Sequence, residues 1–114
     1  MILQGVQEIN EGGHAMVETF RILPYRNSDN LHLRLTGFFD DEAALALMEA
    51  LSENRDMGNK IFVHTAALDH LLDSGVDLFR KNIRSLDHPG AEIIFTGKPA
   101  EKIAVQAPRI RFMK

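Results

Sequence analysis

Apolar and polar residues alternate strictly along Leu31-His32-Leu33-Arg34-Leu35-Thr36, the two-residue period of a strand with one face in a core and the other in water. Upstream, Ala15 to Tyr25 is rich in strand formers: Val17, Thr19, Phe20, Ile22 and Tyr25. Pro24 has no N–H to donate to a ladder, which puts this first strand at a sheet edge. Asn27-Ser28-Asp29-Asn30 is a turn cluster between the two segments, so they are predicted to pair as an antiparallel hairpin. After Asp40 the period changes. Ala44, Leu47, Met48 and Leu51 recur at steps of three and four, the spacing of one helical face. Asp40 is placed to cap that helix, with Asp41 and Glu42 in the first turn, where the helix dipole favours carboxylates. Gly58 lies beyond its end.

The rest of the chain continues in strand–helix order. Ile61-Phe62-Val63 reads as a buried strand, and Val76, Phe79, Ile83 and Leu86 form the stripe of a second helix that stops near Pro89-Gly90. Ile93-Ile94-Phe95 is a continuous apolar run, as suits a strand covered on both faces. Lys98-Pro99-Ala100-Glu101 starts a third helix with Pro in its first turn; Pro108 keeps it short, and Arg109-Ile110-Arg111-Phe112 alternates like a terminal strand or an ordered tail. Met1 to Glu11 is weakly patterned and closes at the Gly12-Gly13 turn signal. Together these elements predict one α/β domain over residues 1–114, with a weakly patterned segment at 1–13 and an atypical one at 98–114. Its sheet is mixed, with about four or five strands by this count of apolar runs. Pairing is antiparallel at the hairpin and parallel further in, and right-handed crossovers put both long helices on one face.

Composition narrows the function classes. A chain of 114 residues, 45% hydrophobic and 25% charged, has material for one core. There are no cysteines, hence no disulfides or thiolate metal sites, which fits a reducing, cytoplasmic compartment. The N-terminus has no basic segment followed by an apolar one, so no signal peptide is expected. No run approaches the roughly 20 apolar residues of a membrane span. A formal charge of −3 gives no reason to expect a nucleic-acid partner.

The most informative short segment is Leu72-Asp73-Ser74-Gly75, between the Ile61 strand and the second helix. A helix N-terminus has N–H groups without intrahelical partners and a partial positive charge. A hydroxyl there can cap the helix or carry a phosphate in a favourable field. Ser74 is therefore expected at the N-cap or within one residue of it, open to solvent. Gly75, without a Cβ, is expected to leave room for a partner to approach.

Two stretches in this order resemble the STAS domain (sulfate transporter and anti-sigma factor antagonist). In that family an alternating strand ends in Gly, followed by two residues, an Asp and a helix rich in Ala and Leu; here Leu31 to Asp40 carries Gly37-Phe38-Phe39-Asp40 and leads into Asp41-Glu42-Ala43-Ala44-Leu45. The family's second signature is an apolar strand, a short loop and Asp-Ser-Ser-Gly opening the next helix, and Ser74 and Gly75 fall on its last two positions. This chain has His64 where the family commonly has Asp, and Leu72-Asp73 where it has Asp-Ser. The resemblance implies a non-enzymatic, cytoplasmic, bacterial signalling module without a cofactor, which binds a protein partner, an anti-sigma factor kinase, and so regulates transcription. Ser74 would be its phosphorylation site, with Asp40, Asp69, His70, Asp73, Ser74, Gly75, Asp77, Arg80, Lys81 and Arg84 as the partner-binding face. The alternative is a non-phosphorylated STAS-like scaffold, or a domain that binds a small ligand or nucleotide.

Other chemistry finds less support. His64, Asp69, His70 and Asp73 are close in sequence, but their spacing matches no metal motif. A triad of Ser74, His70 and Asp73 would need a geometry that sequence neighbours rarely supply, and no Gly-x-Ser-x-Gly elbow is present. Arg80, Lys81 and Arg84 are expected on the outer, solvated face of the second helix.

Overall fold

The hairpin forms as its turn chemistry dictates: strand β1 (Arg21–Asn27) runs antiparallel to β2 (Asn30–Phe39), with Ser28 at the turn in a left-handed conformation, φ 60°. The structure, a computed structural model, describes residues 19–54, 60–86, 91–104 and 109–113. Expectations for the first 18 residues, for Gly58, for Pro89-Gly90 and for Pro108 lie outside the described residues. Helix α1 (Asp41–Asn54) follows β2; then come β3 (Lys60–His64), β4 (Leu68–Leu71), α2 (Asp73–Asn82) with a 3-10 turn at Ile83–Leu86, β5 (Glu92–Thr96), a one-turn helix α3 (Ala100–Ile103) and β6 (Ile110–Met113).

Among the described residues the sheet has six strands, more than the four or five expected. Its order is β1-β2-β3-β5-β6, antiparallel at β1–β2 and parallel from β2 to β6. The additional strand is β4, which pairs in parallel with the C-terminal part of β2 through Gly37, Phe38 and Phe39. Strand β3 pairs with β2 nearer its start, at Leu31 to Arg34. The Ile61 and Ile93 strands are direct neighbours in this sheet. Pro24 sits in β1, which is an edge among the described residues.

One face of the sheet carries the core. Leu31, Leu33, Leu35, Ile61, Val63, Ile93, Phe95 and Ile110 share a buried cluster with Ala43, Ala44, Leu47 and Leu51 of α1, Phe79 of α2 and Ile83 just after it. Both long helices therefore cover the same face, and α3 adds Ala100 and Ile103. Phe79 is the centre of a row of edge-to-face rings, 6.0 Å from Phe39 and 5.9 Å from Phe95 between centroids.

Asp40 caps α1 as its position predicts: Oδ1 accepts from the Ala43 amide at 2.9 Å. Asp40→Ala is expected to lower stability by about 1 kcal/mol, measurable as a shift of the urea midpoint at constant slope.

Candidate functional site

The segment 68–77 runs along one end of the domain, beside the C-terminal end of β2. Strand β4 ends at Leu71, and the Leu72 amide donates to the Phe39 carbonyl at 3.0 Å. Leu72, with extended backbone angles and no side-chain cap, is the N-cap of α2. The helix therefore starts at Asp73, and Ser74 sits two residues past the cap, one further than expected. A hydrogen bond into the sheet fixes this helix start, in place of the serine hydroxyl. Ser74 is exposed, as expected, in the first turn ahead of the first helical bond, Val76 N–H to the Leu72 carbonyl at 3.0 Å.

Gly75 has a different use from the one anticipated. It is buried, and a Cβ on it would lie 2.5 Å from both the carbonyl carbon and the oxygen of Asp40. Its bare backbone lets α2 seat against the β2–α1 junction and leaves no opening for a partner. The same contact brings the start of α2 to Asp40.

The remaining expected residues divide. Asp69, His70, Asp73 and Asp77 are exposed, and His70 stacks on Phe38 at 5.0 Å. Lys81 and Arg84 are exposed. Arg80 is also exposed, but its Nη1 donates to the carbonyls of Lys102 and Ala104, each at 3.1 Å, tying α2 to the end of α3. Among the described residues no three His, Cys, Asp or Glu side chains converge as metal ligands.

The second constellation lies on the sheet face opposite the helices; residues alone put His32 and Arg34 on the polar side of β2, Phe62 in a buried strand and His64 among the weighed metal ligands, and joined none of them into a site. Register aligns Tyr25, His32 and Phe62 in one row across β1, β2 and β3. Their rings stack in succession at 4.8 Å, within 8° of parallel. Next to them His32 Nδ1 and His64 Nε2 are hydrogen-bonded at 2.9 Å, and His64 Nδ1 meets Thr96 Oγ1 at 2.7 Å. Burial, and secondarily the neighbouring His32, lower the pKa of His64 below 6.5. Arg34 is exposed and has no hydrogen-bond or ion-pair partner among the described residues. With Tyr25, His64, Ala66 and Ala67 it lines an open depression of about 380 Å³. The available signal was that the outward positions of three predicted strands are rings.

No protein-family model matches the chain, and no curated protein matches it. No helix among the described residues is long and apolar enough to cross a membrane.

Proposed function

We propose that the protein is a regulatory protein-binding module of the STAS type, which docks a partner through the start of α2 around Ser74. The observation that carries this reading is an exposed hydroxyl in the first turn of a ten-residue helix, at the motif position where the resembled family is phosphorylated. Asp69, His70, Asp73 and Asp77 lie with it in the segment 68–77, and the exposed carboxylates of Asp69, Asp73 and Asp77 favour a partner with basic residues; Asp40 is half-buried and caps α1. Arg80 drops out of this face as a principal contact, because its guanidinium is engaged by α3. Phosphorylation of Ser74 would add a charge of about −1.5 to −2 beside Asp73 and so oppose docking.

Calorimetry of two variants against the protein that co-purifies with the chain tests this. Ser74→Asp is expected to weaken binding about tenfold, the effect of roughly 1.4 kcal/mol. Ser74→Ala is expected to retain it. Because Ser74 caps nothing in α2, its replacement by Ala is expected to change stability by less than about 0.5 kcal/mol. Equal affinity of wild type and Ser74→Asp would move the interface away from this helix.

A further inference from the structure

We infer that the sheet face left uncovered by helices among the described residues holds a second site, in the depression lined by Tyr25, Arg34 and His64, for a small ligand carrying an oxyanion. Charge segregation is the first support. The chain as a whole is net acidic, yet the strand register puts Arg21, Arg34, Lys60 and Arg111 on this face, with Glu92 as the acid among its described strand positions. Glu92 is already paired, accepting from Arg111 Nε at 2.7 Å, which leaves Arg34 as the cation available in the depression.

The stacked rings are the second support. His32 is stacked between Tyr25 and Phe62, so a ligand arriving from above the row meets ring edges. Those edges are the positive part of an aromatic quadrupole, which suits an anion. Flat stacking of a base across the row is blocked by the same geometry.

Size is the third. A depression of about 380 Å³ lies at the lower end of the range for small-ligand pockets. Ala66 and Ala67 keep its rim low, and Arg34 can present two parallel donors to a carboxylate or a phosphate.

His64 takes the part of a tunable charge. Its ring nitrogens face His32 and Thr96, so it acts on the ligand through its field, and the guanidinium of Arg34 makes the contact. Around it stand Tyr25 from β1, His32 and Arg34 from β2, Thr96 from β5 and the uncharged Ala66-Ala67 loop. Imidazolium at His64 can donate to both neighbours at once, which keeps the hydrogen-bond pair intact on protonation. An anion beside Arg34 favours that form, so binding raises the His64 pKa and tightens as pH falls from 7.5 to 6.

The test is NMR titration of the full chain with inorganic phosphate, phenyl phosphate and benzoate in turn, at fixed ionic strength. Saturable shifts at Tyr25, Arg34, Ala66 and Ala67, with an upward shift of the His64 titration, are expected for at least one probe. The stronger of phenyl phosphate and benzoate then identifies the oxyanion. Arg34→Gln is expected to weaken binding about tenfold or more, the loss of a charge-assisted pair, whereas Ser74→Asp leaves it unchanged. Absence of saturation with all three probes, or identical titrations of wild type and Arg34→Gln, overturns the assignment. So does line broadening on this face that grows with protein concentration without a probe, the sign of a second copy covering it.

Discussion

Phe79→Ala is expected to lower the free energy of unfolding by about 3–5 kcal/mol, the range for truncating a buried aromatic side chain. Phe79 is fully buried and meets Phe39 and Phe95 edge-to-face, at interplanar angles of 83° and 74°. It thereby links α2 to the end of β2 and to β5, and its removal empties the one position touched by both other rings. Aromatic pairs add about 0.5–1.5 kcal/mol beyond area burial, so the upper half of the range is favoured. Domains of this size hold about 5–15 kcal/mol in total, so this one side chain accounts for a large share of the stability. Guanidinium denaturation followed by far-ultraviolet circular dichroism measures the loss. A value under about 1.5 kcal/mol would mean that neighbouring side chains collapse into the space.

Gly75→Ala sets two effects of opposite sign against each other. Alanine is the better helix former by about 1 kcal/mol. The added methyl, however, would stand 2.5 Å from the carbonyl carbon and oxygen of Asp40, where non-bonded carbons ordinarily keep about 3.5–4.0 Å. Both sides of the clash are backbone, one in a helix and one at the β2–α1 junction, so neither can rotate away. Overpacking of this kind costs about 1–3 kcal/mol and occasionally more, and the rigidity of both partners argues for the upper end. A net loss of about 2 kcal/mol is expected, together with faster amide exchange at Ala43 and Ala44, whose N–H groups are held by Asp40 at 2.9 Å. A variant as stable as the wild type would show that α2 can slide.

What could be read from residues alone follows from where the physics is local. The β2 alternation, the Asp40 cap and the edge position of the Pro24 strand each depend on chemistry within a few positions, and all three are present in the fold. Strand β4 is not legible in the sequence because Leu68-Asp69-His70-Leu71 has no two-residue period. Its pairing comes from the backbone of Gly37 to Phe39, about thirty residues away, through a register shift. The start of α2 is not legible for the same reason, since the Leu72 bond to Phe39 is tertiary. Gly75 read as open space because a sequence cannot report how closely Asp40 approaches. Arg80 looked like one more solvated cation until the end of α3 came within reach of it. The ring row on the far face was divided among three separate strands, each contributing one or two residues that look ordinary alone.

Strand β2 differs from every other described strand in having three strand partners, β1 along Asn30 to Thr36, β3 along Leu31 to Arg34 and β4 along Gly37 to Phe39. No single local opening releases it, because loss of β4 leaves β3 and loss of β3 leaves β1. In a protein that breathes by detaching small cooperative units, its central amides should be the last to trade hydrogen for deuterium. Their exchange would then report global unfolding and serve as the molecule's own internal clock, against which the fraying of every other segment could be timed.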